Sequence, residues 1–287
     1  MTMRPGHRSA LFAAILAGAI THEANGQAMR TFNAARQTNS ERLLRATLDF
    51  GAGAVRFAPA SPGQLYRMQV RYDATRYAPI QWYEPRTGIL RLGLEPVGGG
   101  GIRVTSRNQL EQSADFALSA TTPLALSVNL GASEADLDLG GLHLIELTLR
   151  GGATHGTVTF SRPTTGECRE ATFSVGATEI AVNQLANAGC AAIRVDGGVG
   201  RALLDFSGEW QRDAVVVVDL SMGAITLRIP RGTGVQLVSN RFLSTLSAEG
   251  FIKAGGTWTT PRFGAAAHKI RVELKTAMTG INVEWID

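Results

Sequence analysis

The chain has 287 residues, 33 of them Gly, with 44% hydrophobic and 18% charged residues and a mean hydropathy of +0.03. That apolar share supports a real core and excludes wholesale disorder or a collagen repeat, while the glycines and the low charge predict a β-rich body. The formal charge of +4 comes from 25 Arg and 3 Lys scattered along the chain, yet its distribution is uneven: residues 29–107 carry 12 Arg against 5 acids, and residues 108–287 carry 14 basic against 18 acidic residues. Scattered basic residues and a modest net charge do not argue for a nucleic-acid partner.

The N-terminus reads as an address. Arg4 and Arg8 precede the apolar run Ala10–Ile20, and a polar stretch then leads to Gly26-Gln27-Ala28. This is the layout of a signal peptide over residues 1–28, cleaved after Ala28, because the run is far shorter than the roughly 20 residues a helix needs to span a bilayer. No Cys sits at the cleavage position, which argues against a lipid anchor, and no later stretch has 18 consecutive apolar residues. The expectation is an exported protein, periplasmic or extracellular, that does not span the membrane once mature. Residues 29–42 show no apolar period and are expected to be a flexible leader.

Residues 43–107 are expected to form the first β coils of a stack or a related cap. Alternating stretches occur at Leu44–Phe57, Leu65–Tyr72 and Gly88–Leu94, and the glycine run Gly98–Gly101 marks a hinge. All four Tyr of the chain (Tyr66, Tyr72, Tyr77, Tyr83) and Trp82 fall here, interleaved with Arg67, Arg71, Arg76 and Arg86. Tyr, Trp and Arg dominate binding hot spots, so Tyr66, Tyr72, Arg76, Tyr77, Trp82, Tyr83 and Arg86 are the interaction candidates. The stretch Arg76–Arg86, with two prolines, reads as an exposed loop. The other reading open at this point is that the rings pack a junction.

From residue 108 to 287, the main body, one phrase recurs: a short alternating strand, a central glycine, a second short strand. The markers Gly131, Gly152, Gly176, Gly198 and Gly223 stand 21, 24, 22 and 25 residues apart. That period predicts an all-β, single-stack solenoid whose coils bury Leu, Val, Ile and Phe in one column. The glycines are expected where the backbone turns sharply, bulges or takes positive φ. The last copy runs from His268 to Trp285, and the acidic end Val283–Asp287 suggests a capped stack.

Leu130-Gly131-Ala132-Ser133, Asp205–Trp210 and Met222-Gly223, each inside a strand-glycine-strand unit, carry a resemblance to the toast-rack family of bacterial envelope proteins. The resemblance extends to the C-terminal domain of LiaF-type cell-wall stress regulators. It implies a β-solenoid at the envelope with no assigned catalysis, here with a signal peptide in place of membrane helices.

Cys168 and Cys190 each lie eight residues before a marker glycine, at the same place in consecutive coils. Stacked coils bring equivalent Cα atoms to about 4.8 Å, within disulfide reach, and export supplies oxidising conditions, so a Cys168–Cys190 bond is expected. Chemistry is otherwise sparse. His143, His155 and His268 have no partner at metal-ligand spacing, and Ala202 occupies the position where a calcium-binding glycine turn at Gly197–Arg201 would need Asp. No cofactor, metal or catalytic residue is expected. Glu134, Asp136 and Asp138 alternate with apolar residues and share one strand face, either the solvated side of an edge or the row of a carbohydrate-binding or carbohydrate-active solenoid. The reading is a non-catalytic structural or protein-interaction module of the envelope, with an envelope protein or cell-wall glycan as partner; the alternative is a carbohydrate-binding or carbohydrate-active solenoid.

Overall fold

The computed structural model describes residues 28–98 and 111–287. The signal-peptide segment before Ala28 and the hinge glycines 99–101 lie outside the described residues. The rest is all-β. The strands are β1 (Met29–Gln37), β2 (Leu44–Pro59), β3 (Gln64–Asp73), β4 (Tyr77–Glu84), β5 (Ile89–Pro96) and β6 (Ser113–Leu118). They continue as β7 (Leu124–Asp138), β8 (Leu144–Gly151), β9 (His155–Thr159), β10 (Glu170–Asn183), β11 (Ala192–Asp205) and β12 (Ala214–Pro230). Then come β13 (Gly234–Arg241), three short strands β14 (Thr245–Ser247), β15 (Ile252–Ala254) and β16 (Thr257–Thr259), and the long β17 (Lys269–Ile286).

The long strands stack in parallel: β2 on β7, β7 on β8 and β9, these on β10, and so through β11 and β12 to β17. Each is bent in the middle, and its inward-facing residues change parity there. In β12, Ala214, Val216, Val218 and Leu220 are buried before the bend, and Ile225, Leu227 and Ile229 after it. The same switch occurs in β10, from Ala171, Phe173 and Val175 to Ile180 and Val182. One odd residue per coil thus redirects the second half-strand so that both halves line one core. The return segments close it with Leu142, Phe160, Leu185 and Phe206, all fully buried. Each such side chain removed from water contributes about 1.5–3 kcal/mol.

The glycines at the bends serve the stacking of backbone on backbone. A Cβ on Gly131 would strike the carbonyl oxygen of Gly51 in the coil below, and one on Gly176 would lie 2.8 Å from that of Gly152. Of the expected alternatives, a sharp turn, a bulge or positive φ, positive φ holds at Gly223 alone of the five markers. Gly223 pairs with Gly200, not with Gly198. The marker column therefore steps by two residues at that coil, which is why the last interval is the longest.

Both ends of the stack are sealed out of sequence order. At the N-terminal end β5 and β6 cover the outer edge of β2, so β6, from within residues 108–287, pairs on the side away from β7. At the C-terminal end β17 lies between β12 and the pair β13 and β14. The acidic end Val283–Asp287 is accordingly not the outermost coil. Residues 29–37, expected as a flexible leader, form an edge strand antiparallel to β3. Their polar pattern had no period because both faces are largely exposed; Phe32 and Ala34 rest on the core.

Cys168 and Cys190 lie in the return segments before β10 and β11, fully buried, and are joined by a disulfide with Cα atoms 4.3 Å apart. Their separation of 22 residues equals the β10–β11 register offset, as in Glu170 opposite Ala192.

Candidate functional site

The aromatic segment is not a loop. Tyr77–Glu84 is a strand that, among the described residues, pairs only with β5, antiparallel, the edge position in a sheet where Pro79 is tolerated. The seven interaction candidates separate accordingly. Tyr66, Tyr72 and Tyr77 are buried in the core, the junction-packing role. Arg76 pairs with Asp73 at 3.7 Å. Trp82 is 48% exposed on one face of β4. Strand alternation sends Gln81 and Tyr83 to the other face, where the Gln81 side-chain amide donates to the Tyr66 hydroxyl at 2.7 Å and the Tyr83 ring lies 6.3 Å from that of Tyr66.

Tyr83 and Arg86 help to line a cavity of about 490 Å³ at the N-terminal end of the stack. One wall is the β1–β2 connection with Asn39, Ser40, Glu41, Arg42 and Leu43; the other is the β4–β5 turn, and Arg36 of β1 reaches in beside them. The walls are pinned together, because Gly88, at φ +66°, sits where a Cβ would strike the Leu43 carbonyl oxygen, and the Arg45 amide donates to the Gly88 carbonyl at 2.8 Å. Glu41 is anchored: its carboxylate accepts the Asn39 amide at 2.6 Å and the Tyr83 hydroxyl at 3.1 Å. The Arg36 guanidinium stands 4.7 Å from the centre of the Tyr83 ring. Burial, and next the hydrogen bond to Glu41, hold the Tyr83 phenol above its ordinary value of 10.0.

Arg36, Arg42 and Arg86 are exposed, and none of them forms an ion pair with a described carboxylate. Glu84, beside Arg86, instead accepts the Arg86 backbone amide at 3.2 Å. Arg36 and Arg42 were not among the candidates read from sequence. The signal that could have found them is the excess of Arg over acids in residues 29–107.

The acidic row shares the outer face of β7, and its members differ in role. Asp138 accepts from the Gly140 amide at 2.9 Å and the Ser161 hydroxyl at 2.8 Å, fixing the turn after the strand. Glu134 lies opposite His155 in the register, His155 opposite Glu179, and Glu179 opposite Arg201, with the Arg201 and Glu179 side chains paired at 2.9 Å. Asp136 lies between Arg56 and Thr157 in the register. Among the described residues no group of three His, Cys, Asp or Glu stands together as a metal site. His155 and His268 each face one carboxylate, Glu179 and Asp213 respectively.

The model of the N-terminal domain of toast_rack, DUF2154, matches residues 24–183. Among solved structures, a candidate cell adhesion protein from Clostridium sporogenes ATCC 15579 is 17% identical, with a TM-score of 0.48 over 90% of this chain and 100% of that one. A candidate adhesin from Bacteroides fragilis NCTC 9343 is 9% identical, with a TM-score of 0.38 over 89% of this chain and 97% of that one. Another, from Parabacteroides merdae ATCC 43184, is 8% identical, with a TM-score of 0.32 over 91% and 97%. A comparison with curated proteins finds no match.

Proposed function

We propose, from the premise that the chain belongs to the family defined by the N-terminal domain of toast_rack, that it is a non-catalytic interaction module of the bacterial envelope. In this reading it is a single-stack β-solenoid that meets its partner with its N-terminal end. The observation that carries the reading is the exposure of Trp82 and of the arginine-lined cavity at the same end of the stack, on strands β1 and β4 that each pair with one strand among the described residues. Aromatic and Arg side chains held by a packed scaffold are the usual anchors of an interface. The matched region, residues 24–183, contains this whole end. The signal-peptide layout of residues 1–28 and the Cys168–Cys190 disulfide support export to the periplasm or beyond, where thiols oxidise. Among the described residues no helix is long and apolar enough to cross a membrane.

The acidic row offers less to a carbohydrate-active reading, since the Asp138 carboxylate is committed to its turn. The test is crosslinking of the intact envelope, followed by recovery of the partner, protein or glycan, with the wild type, with a Trp82→Ala/Arg86→Ala double variant and with Asp136→Asn. The expected result is loss of recovery with the double variant and full recovery with Asp136→Asn. The opposite pattern, joined to polysaccharide turnover by the wild type, would transfer the function to β7.

A further inference from the structure

We infer that the cavity between the β1–β2 connection and the β4–β5 turn is a binding site for a phosphate-class oxyanion carried on a group of about sugar size. The inference rests on the reading of the N-terminal end as the contact surface and names the chemistry of the ligand.

Three guanidinium groups, Arg36, Arg42 and Arg86, border one cavity, and its single lining carboxylate, Glu41, is already held by Asn39 and Tyr83. The lining therefore carries a net charge of +2, counted as three arginines against one glutamate. Arginine stays charged at any physiological pH and offers planar pairs of donors matched to the oxygens of phosphate. A singly charged carboxylate would leave part of that field unanswered. A phosphomonoester carries about −1.5 to −2 at pH 7 and matches it.

The volume, about 490 Å³, is larger than a bare phosphate needs and lies in the range of small-molecule sites. The frame is in place before any ligand arrives. Glu41 ties the first wall to β4 through Tyr83; Gly88 packs the second wall against Leu43; the Tyr83 ring supports the Arg36 guanidinium at 4.7 Å. The backbone walls thus need little ordering on binding, and the cost that remains is that of fixing the exposed Arg42 and Arg86 side chains. Other arginines of the same region are differently placed: Arg76 and Arg91 are paired with Asp73 and Asp49.

Calorimetric titration of the mature protein at low salt tests the site with four probes: glucose 1-phosphate, inorganic phosphate, glucuronate and glucose. Glucose 1-phosphate is expected to bind, with affinity falling about tenfold in Arg42→Gln and in Arg86→Gln, and remaining unchanged in Arg76→Gln, which removes the same charge outside the cavity. Affinity should fall as the pH is lowered through about 6, where the phosphomonoester loses its second charge. Inorganic phosphate binding as tightly as the sugar phosphate would support the anion site and assign it to free phosphate. Binding of neither phosphate, equal binding of glucuronate, or equal loss in Arg76→Gln would overturn the inference. Thermal melts matching the wild type establish that the variants fold. Anion binding without envelope partner recovery would overturn the interface reading and leave this site standing, and recovery without anion binding would do the reverse.

Discussion

The two ends of the stack use the same device and finish it differently. At each, a bent strand is flanked on its outer side by two half-strands from an excursion of the chain: β5 and β6 on β2, β13 and β14 on β17. The N-terminal excursion buries Tyr66, Tyr72, Tyr77 and Phe116 and presents arginines to solvent. The C-terminal one has strands of three residues and leaves Phe242, Leu243 and Ile252 exposed at 69%, 75% and 57%. Sealing a sheet edge therefore constrains backbone topology but not surface chemistry, and a stack of parallel strands can carry a distinct surface at each end.

The largest effect that sharpens this contrast is in packing. Phe116→Ala empties a fully buried site and should cost about 3–5 kcal/mol, whereas Leu246→Ala, at a half-buried position of the other end, should cost about 1 kcal/mol. Urea midpoints measure both, and equal losses would erase the difference in packing. Next is the reduced protein, in which loss of the Cys168–Cys190 bond should lower stability by about 2–4 kcal/mol. Hydrogen exchange should then rise in β10 and β11 and not at either end; a response concentrated at one end would show that the middle coils do not insulate the termini from each other.

Smaller effects come from one strained residue near each end, Ser40 at φ 58° and Leu243 at φ 50°. Leu243→Gly should raise stability by about 1 kcal/mol, since an exposed Leu loses few contacts on removal and gains relief of a left-handed backbone, and Ser40→Gly should raise it by less. Thermal unfolding distinguishes the two. The smallest effect is in alkali. The folded-state pKa of Tyr83 lies above the ordinary value, so the stability its neutral form confers is complete below pH 10 and lost as pH rises through the folded pKa. Ultraviolet titration of the phenol should show Glu41→Gln moving that pKa downward; no movement would remove Glu41 from the frame of the cavity.

The middle of the molecule was legible because each coil repeats its inward residues around a glycine, a pattern that survives the parity change at the bend. Even the disulfide could be placed, since the two cysteines sit at one coil offset. The ends were not legible for definite reasons. β1 buries only Met29, Phe32 and Ala34 in part, so it carries no period; β14, β15 and β16 are too short to show one. Prolines at 79 and 85 made an edge strand read as a loop. The cavity eluded the sequence because Arg36, Arg42 and Arg86 meet only once β1 has paired with β3 and β4 with β5, bringing together residues up to 50 positions apart.

The placement of β17 between β12 and its covering strands has a kinetic side. β13 and β14 are synthesised before the strand they pair with, and β12 must wait 56 residues, from Ala214 to Ile270, for its neighbour. Until β17 pairs, the β12 edge with Val216, Val218, Ile225 and Leu227 and the β13 edge with Val235 and Leu237 are without their partner strand and open to pairing with another molecule. The closing step joins residues distant in sequence, the kind of contact that forms slowly. Insertion of β17 is thus the expected rate-limiting event of assembly, and the window before it is when this otherwise well-sealed protein is most exposed to aggregation.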